Sequence, residues 1–303
     1  MARFPDSKRY FEQPSPSDKR PPVFVKLLAD WNVLIEPGIS SEKTKHILAE
    51  IPALSRHRWF RSMASSQALA QSIFGNLKVN ARLHSLNDLL DDAGNPLFGR
   101  ADLTAQNLTM EYTNGFLGEP TPTSVDVFFS GGHQIAIECK LAEREVGSCS
   151  RPRLEKTSSK YEKEYCDGSY MVQRGREHRC SLTERGILYW KYVPELFEWQ
   201  NDTDHRNCPL NRNYQLVRNI LAACMHSDGN FSAERGHVVL IYDERNPKFQ
   251  SEGKGFKAFN ETRAALKDPM LLRSCSWQRV LDHLRGKGHL PWLTNEIKLK
   301  YGL

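Results

Sequence analysis

The sequence predicts an α/β fold, and three segments support that prediction. Residues 124–142 hold two runs of β-branched and aromatic residues around a Gly-Gly turn, the pattern of a β-hairpin. Residues 213–226 ("NYQLVRNILAACMH") repeat apolar residues at helical spacing. Residues 237–245 ("HVVLIYDER") open on a continuous apolar run, typical of a strand buried on both faces. A hairpin, a helix and a buried strand in this order predict helices packed on a sheet.

Further helices are expected on both sides of these segments. Upstream, helical spacing predicts three helices, the first with Ser41 as its N-cap: "SSEKTKHILAEI", "WFRSMASSQALAQSIFGNL" and "ARLHSLNDLLDDAGNP". Downstream, "GFKAFNETRAALKD" and "SWQRVLDHLRGKG" follow the buried strand, and Ser276 is the expected N-cap of the second.

The chain is expected to divide into three parts. Residues 1–22 are rich in Pro, Ser and charge, which predicts a mobile tail. Residues 23–100 form a helical N-terminal region. Residues 101–303 form the main domain, with a polar insertion at 144–212.

The composition fits a soluble, cytoplasmic protein. The net charge of +6 is compatible with a polyanionic partner without requiring one. No apolar run approaches the ~20 residues that span a membrane, and the N-terminus lacks the apolar segment of a signal peptide. Seven cysteines, an odd number, fit reduced thiols better than a disulfide framework.

Three charged residues lie inside the hairpin: Asp126 in its first run, and Glu138 and Lys140 in its second. Charged side chains are costly to bury without a partner, which makes this hairpin unusual. Glu138 and Lys140 share a face, because alternate residues of a strand point the same way. A salt-bridged strand on the solvated side of a sheet is the simplest alternative.

The length of the turn decides where Asp126 points. A two-residue Gly-Gly loop would pair Asp126 with Ile137 and send the carboxylates to opposite faces. A three-residue loop at 131–133 pairs Asp126 with Glu138, and its glycines supply the positive φ that such loops need. A β-bulge would also bring the two carboxylates together. We predict the register that sets Asp126 opposite Glu138.

The Asp126–Glu138 pair predicts a metal site. Two carboxylates a few ångström apart repel each other unless a cation joins them. Mg²⁺ takes one or two carboxylates and leaves its other positions for water and phosphate, and Mn²⁺ can substitute for it. A protonated Lys140 beside the metal could orient a water or stabilise charge on a phosphate. Metal, water and lysine together indicate hydrolysis of a phosphodiester bond.

Asp126 followed by Glu-x-Lys at 138–140 resembles the motif of the PD-(D/E)XK, or restriction-endonuclease-like, nuclease superfamily. The resemblance covers residues 105–245, since "YQLVRNILAA" and "HVVLIYDERNP" are similar to the helix and strand that follow the motif. It implies a mixed central β-sheet flanked by helices. It also implies a Mg²⁺-dependent DNA nuclease, a restriction- or repair-type endonuclease, in which Asp126 and Glu138 bind metal and Lys140 positions the attacking water.

The resemblance also implies supporting residues. Gln215 matches the polar residue that faces the site from the helix in many members. Many members carry a Glu on the first core helix as well, and "LTMEYTNGFLGEP" offers Glu111 and Glu119. Glu111 is preferred, because Glu119 lies between Gly and Pro; a solvated surface carboxylate is the alternative for Glu111. The sequence departs from the family at Val125, which replaces a Pro, and in its long insertion.

Four residues are expected to contact nucleic acid. Arg218 and Asn219 lie near Gln215 on the helix, and this position predicts contact with a phosphate. Lys156 and Lys160 lie in a stretch where Lys and Arg recur between Tyr residues. Cations of such a stretch could bind phosphates while its aromatic rings stack on unpaired bases. A solvated loop is the alternative.

Two other functions stay open. One is a non-catalytic nucleic-acid-binding protein on the same fold. The other is a metal-cluster protein, in which Zn²⁺ or an iron–sulfur cluster would bind four cysteines of the insertion, Cys149, Cys166, Cys180 and Cys208. The gaps between these cysteines are long and irregular, which favours free thiols. DNA is the expected partner, a homodimer is possible, and no membrane association is expected.

Overall fold

The centre of the protein is a mixed β-sheet. The computed structural model describes residues 7–13, 20–99, 101–120, 122, 124–151, 166, 180–201 and 208–303. Within them the strands are β1 (Leu108–Thr113), β2 (Ser124–Phe129), β3 (Gln134–Lys140), β4 (Gly236–Tyr242) and β5 (Leu272–Ser276). They lie side by side in chain order. β1, β2 and β3 pair antiparallel, whereas β3, β4 and β5 pair in parallel. The sheet and the helices around it confirm the predicted α/β class.

Helices flank the sheet. They are α1 (Ser7–Tyr10), α2 (Ser41–Ala49), α3 (Ser66–Ala70), α4 (Asn76–Val79), α5 (Ser181–Glu184), α6 (Tyr189–Leu196), α7 (Leu210–Cys224), α8 (Lys254–Ala265), α9 (Trp277–Gly286) and α10 (Pro291–Tyr301). A π-turn at Gln71–Gly75 joins α3 directly to α4. No helix in the described part of the chain is long and apolar enough to cross a membrane.

Each face of the sheet has its own apolar core. On one face, Ala136 and Val238 of the sheet pack with Leu216 and Ile220 of α7. On the other, alternate residues of the same strands pack with α3, α9 and α10; this core includes Ile137, Val239, Leu69, Leu281 and Ile297. Helix α3 therefore packs directly against the sheet, in the second of these two cores. Glu138 and Lys140 lie on the α7 face of β3, because Ile137 and Cys139 point to the α3 face.

The hairpin adopts the predicted register. Val127 pairs with Ile137 and Phe129 with Ile135. Extending this pairing by one residue sets Asp126 opposite Glu138, as a three-residue turn requires. Gly131 in that turn has a φ of 134°, which side chains of L-residues rarely allow.

Several predicted elements match closely. The helix expected at 213–226 is α7, and its predicted apolar stripe is fully buried. The strand expected at 237–245 is β4, which ends at Tyr242 because the Asp243 side chain accepts a hydrogen bond from the Arg245 amide at 3.0 Å and starts a turn. Ser276 caps α9, accepting from the Arg279 amide at 3.1 Å.

Other predictions were wrong. The helix expected over "ARLHSLNDLLDDAGNP" is only a 3₁₀ turn at Leu83–Leu86 followed by tight turns. Asp91 explains the difference: its carboxylate accepts from the amides of Ala93 and Asn95 at 2.9 and 2.8 Å, and such local bonds compete with a helix. The strands β1 and β5 were not predicted. The predicted tail at 1–22 lies partly outside the described residues.

The N-cap of α2 is Ser40, one residue before the predicted Ser41. The Ser40 hydroxyl accepts from the Lys43 amide at 3.3 Å, and the helix starts at Ser41. A two-residue Ser-Ser sequence offers two possible caps, and pattern alone does not choose between them.

This pair of serines gives a matched test. Ser40→Ala is expected to lower the free energy of unfolding by about 0.5–1 kcal/mol, because one amide of the first turn loses its acceptor. Ser41→Ala is expected to change it by no more than a few tenths of a kcal/mol, since it places a good helix former inside the first turn. Urea unfolding of both variants checks this, and a larger loss for Ser41→Ala would contradict the assignment.

Candidate active site

Asp126 and Glu138 are brought together by the hairpin. Asp126 is half-buried on β2, and its Oδ2 atom accepts a hydrogen bond from the Cys139 amide at 2.7 Å. Glu138 is only 1% exposed. The ladder ends at the pair Val127–Ile137, one residue before Asp126, and the two carboxyl groups are close enough for the charge of Glu138 to raise the pKa of Asp126. The predicted juxtaposition of the carboxylates is therefore present.

Glu111 adds a third carboxyl group. It lies on β1, where the pairing of Met110 with Val127 and Tyr112 with Val125 places it opposite Asp126. It was predicted on a helix, and this was wrong. Its φ of 52° marks an irregular residue within the strand, which ordinary strand patterns do not reveal. Its carboxylate accepts hydrogen bonds from Gln67 Nε2 at 2.5 Å and from the Ser124 hydroxyl.

Lys140, Glu138 and Gln215 form a closed polar triangle. Lys140 Nζ lies 2.7 Å from Glu138 Oε1 and donates to Gln215 Oε1 at 3.1 Å. Gln215 Nε2 donates to Glu138 Oε1 at 2.7 Å. The glutamine thus fixes both charged groups, and its predicted position toward the site is correct. Gly147 makes room for it, because a Cβ atom there would lie 2.4 Å from Gln215 Oε1.

Asn219 and Arg218 lie one turn further along α7. Asn219 Nδ2 donates to Glu138 Oε2 at 2.7 Å. Arg218 holds Asn219 in place, donating to its Oδ1 atom at 2.7 Å and to the Ser124 carbonyl at 2.9 Å. Both side chains are buried. The sequence suggested that they contact phosphate, whereas the structure gives them protein partners and a role in orienting Glu138.

The start of α3 closes the site from the other side, which the sequence did not reveal. Gln67 is buried; it donates to Glu111 and its Oε1 atom accepts from the His57 amide at 3.0 Å. Ser66 donates to Glu143 Oε1 at 2.5 Å, and Glu143 Oε2 accepts from the Leu141 amide at 2.6 Å. The sequence predicted a helix over residues 59–77, but α3 starts only at Ser66, because the Ser65 side chain caps it by accepting from the Ala68 amide. The contact of Gln67 with a strand over 40 residues away was not predicted.

The carboxylates perturb each other. Burial raises the pKa of Asp126 well above its ordinary value, and the charges of Glu138 and Glu111 raise it further. The pKa of Glu111 is also raised, mainly by burial. Burial would lower the pKa of Lys140, but the charges of Glu138 and Asp126 outweigh it and the pKa is raised. Lys140 therefore stays protonated, as an ammonium group facing a cluster of carboxyl groups.

A divalent cation suits this cluster. Among the described residues, no group of three or more His, Cys, Asp or Glu side chains is arranged to hold a metal ion by itself. Mg²⁺ needs fewer protein ligands, since it is commonly bound by one or two carboxylates and keeps several waters. Asp126 and Glu138 supply hard oxygen donors. Burial, and then the charges of Glu138 and Glu111, raise the pKa of Asp126, and a bound cation would oppose both effects. The donor set therefore fits Mg²⁺ or Mn²⁺.

The cysteines of the insertion lie near one another. Cys149 and Cys180 are buried, Cys166 and Cys208 are half-buried, and none of the four is in a disulfide. Burial raises the pKa of Cys149 to about 11, with smaller contributions from Cys180 and Cys166. Within the part of the chain that the structure describes, these cysteines do not form a group of three or more ligands that could hold a metal ion.

Lys156 and Lys160, the other predicted nucleic-acid contacts, lie outside the described residues.

The pKa of Asp126 predicts how stability depends on pH. A raised pKa means that the native state binds this proton more tightly than the unfolded chain, whose Asp has a pKa of ~3.9. Metal-free protein should therefore lose stability as the pH rises above ~4 toward the folded pKa. Asp126→Asn should flatten this dependence and unfold at higher urea concentration than wild type at pH 8 in EDTA.

The exposed Asp282 supplies the control, because Asp282→Asn should follow the wild-type curve. Mg²⁺ should raise wild-type stability at pH 8 by binding the native state. Parallel pH curves for Asp126→Asn and wild type would contradict the account of the cluster.

Comparison with known proteins places the chain in a family. The family model described as "Restriction Endonuclease associating with ARP" matches residues 19–302, nearly the whole chain. No curated protein and no solved structure matches. The match agrees with the resemblance of Asp126, Glu138 and Lys140 to the restriction-endonuclease-like superfamily. The chain belongs to the family of restriction endonucleases associating with ARP.

Proposed function

We propose that this protein is a Mg²⁺-dependent endonuclease that hydrolyses phosphodiester bonds of DNA. The observation that carries the proposal is the hairpin register, which brings Asp126 next to Glu138, while Lys140 forms an ion pair with Glu138 at 2.7 Å. Membership of a restriction endonuclease family supports DNA as the substrate and internal bonds as the position of cleavage. The net charge of +6 is compatible with a polyanion.

Asp126 and Glu138 would hold the metal, and Glu111 would add negative charge beside Asp126, which it faces across the strand pair. Asp126 and Glu111 are each more exposed than Glu138, which is 1% exposed. When bound, Mg²⁺ lowers the pKa of a coordinated water and offsets charge on the phosphate. Gln215 and Asn219 keep Glu138 in one orientation, which limits the reorganisation needed on binding.

Lys140 would act as a charged hydrogen-bond donor. Its ammonium group is protonated at neutral pH, so it cannot be a general base. Its three N–H donors can orient the attacking water and hydrogen-bond to a phosphate oxygen as negative charge develops there. The contact with Gln215 aims the ammonium group before the substrate arrives. Preorganised donors of this kind lower the barrier because they need not reorient during the reaction.

One such site cuts one strand. Cleavage of both strands of a duplex would require either two separate events or two chains, and a homodimer is one arrangement that supplies the second site. The family description also names association with ARP, and we extend that association to this chain as part of the proposal. The order of plasmid products distinguishes the two routes, since nicked circles precede linear DNA when single chains act independently.

The direct test is plasmid and linear-DNA cleavage with Mg²⁺, Mn²⁺ or EDTA. Cleavage by the wild type is expected with either metal and none with EDTA. Lys140→Ala is expected to reduce kcat by about 10²–10³-fold, the usual cost of removing one preorganised donor. Asp126→Ala is expected to reduce activity at least as much, because it removes a metal ligand.

Cys139→Ala is the matched control. Cys139 lies between Glu138 and Lys140 on the same strand, but its side chain points into the opposite core. The variant should keep most of its activity despite a modest loss of stability. Metal-dependent cleavage that survives both Lys140→Ala and Asp126→Ala would refute the proposed site. Metal-independent DNA binding without cleavage would favour the non-catalytic alternative.

A further inference from the structure

A basic and aromatic loop borders the proposed active site. It comprises residues 56–61, "RHRWFR", between a 3₁₀ turn at Ala53–Ser55 and the start of α3. We call it the arginine loop. It belongs to the N-terminal helical region, to which neither the motif nor the proposed chemistry assigns a role.

Gln67 ties this loop to the carboxylates. The Nε2 atom of Gln67 donates to the Glu111 carboxylate at 2.5 Å and to the Ser55 carbonyl at 3.2 Å. Its Oε1 atom accepts a hydrogen bond from the His57 amide at 3.0 Å. Chain geometry then limits the separation between the Arg58 Cα atom and the Glu111 carboxylate to roughly 10–15 Å. Successive charges along a DNA strand are ~3.4 Å apart along the axis, so this separation spans only a few nucleotides.

His57 provides a second indication of proximity. Its Nε2 atom lies 3.2 Å from the Ser65 hydroxyl, and its Nδ1 atom accepts from the Trp59 amide at 2.9 Å. The charges of Glu143 and Lys140 both act on the pKa of His57, which burial lowers. The loop is therefore within electrostatic reach of the site's ammonium group.

The three arginines of the loop differ in their partners. Arg56 forms an ion pair with Asp30 at 2.6 Å, and Arg61 forms one with Glu12 at 2.5 Å. These two pairs anchor the ends of the loop. Arg58 forms no ion pair with any described residue; its guanidinium lies over the Trp59 ring, 4.8 Å from the centroid. Arg58 is exposed and its charge faces solvent.

Trp59 carries two guanidinium groups, since that of Arg20 also lies over its ring, 5.1 Å from the centroid. Its ring is 38% exposed, whereas the neighbouring Phe60 is 2% exposed and packs in a small core. A large exposed aromatic ring under a guanidinium holds the cation's plane in place and leaves its N–H edge free. Such a preoriented edge matches the oxygens of a phosphate group.

We propose that Arg58, held by Trp59, binds a backbone phosphate of the DNA a few nucleotides from the bond that is cut. This rests on the proposed function, because it takes DNA as the substrate. Arg58 is a binding residue in this account and does not take part in the chemical step. It fixes the register of the strand over Asp126, Glu138 and Lys140, in the way that phosphate contacts position a duplex without reading its sequence.

The test compares Arg58→Ala with Arg235→Ala. Arg235 is likewise exposed, but it lies just before β4, at the end of the strand far from Lys140. The Arg235→Ala substitution therefore removes the same charge at a distance from the site. Arg58→Ala is expected to raise KM for duplex DNA about tenfold, with kcat within twofold of wild type. Arg235→Ala is expected to leave both unchanged.

The salt dependence of binding separates a phosphate contact from a structural role. DNA affinity, measured by fluorescence anisotropy in the Lys140→Ala background over a range of KCl, should fall less steeply with salt when Arg58 is also replaced. The slope of log Kd against log salt should drop by about one, the value for one lost phosphate contact. Arg58→Lys should keep the slope but weaken binding, since it keeps the charge and loses the planar edge.

The outcomes are distinct. Equal KM, Kd and salt slope for Arg58→Ala and Arg235→Ala overturn the proposal. Weaker binding in Trp59→Ala with wild-type binding in Arg58→Ala also overturns it, because the contact would then belong to the ring or to Arg20, which lies over the same ring. If the wild type cleaves no DNA, the proposed function fails, yet the anisotropy measurement still decides whether Arg58 binds a phosphate.

Discussion

Glu111, Asp126 and Glu138 converge within one end of the sheet, and the surrounding structure serves to keep three carboxyl groups there. Like charges at this separation repel each other, and partial burial strengthens the repulsion. Burial raises the pKa values of Asp126 and Glu111, and the charge of Glu138 raises both further. The fold offsets the repulsion with the ammonium group of Lys140 and with neutral donors from Gln67, Gln215 and Asn219. These donors come from helices on both sides of the sheet, so the cluster forms only when the whole fold has formed.

The hairpin register is the geometric condition for this cluster. Ile137 and Cys139 fill the core beneath α3, so Glu138 and Lys140 must face α7. A slip of one residue would bury both charges in the apolar core and expose the isoleucines. The same alternation that builds two cores therefore assembles the site. Gly131 permits the turn that sets this register, since its φ of 134° is closed to most residues.

Much of the site could be read from the sequence because its signals are local. The short distance in sequence between Asp126 and Glu138 allows few hairpin turns, and a three-residue turn or a β-bulge is needed to bring the carboxylates together. The helix at α7 has a strong apolar stripe, so Gln215 could be assigned to its polar side. By contrast, the contact between Gln67 and Glu111 joins residues that are far apart in the chain, and no local pattern encodes it.

The wrong predictions of local structure also have physical causes that the local sequence pattern does not show. Glu111 lies in an edge strand with an irregular residue, where polar and apolar residues do not alternate cleanly. Asp91 turns a sequence with helical spacing into tight turns by accepting two backbone amides. The buried Arg218 shows that a charged residue on a helix need not face solvent, because Asn219 and the Ser124 carbonyl satisfy its donors. The Arg218–Ser124 contact depends on the tertiary structure, because Ser124 is far from Arg218 in the chain.

The central claim is that Asp126 and Glu138 bind a divalent cation, and Mn²⁺ binding followed by electron paramagnetic resonance tests it most directly. Wild-type protein should bind Mn²⁺ and release it to Mg²⁺, whereas Asp126→Asn and Glu138→Gln should each bind it at least about tenfold more weakly, as expected when a ligand is lost. Glu145→Gln, at an exposed carboxylate outside the cluster, should bind like wild type. Wild-type Mn²⁺ affinity in both Asp126→Asn and Glu138→Gln would contradict the account.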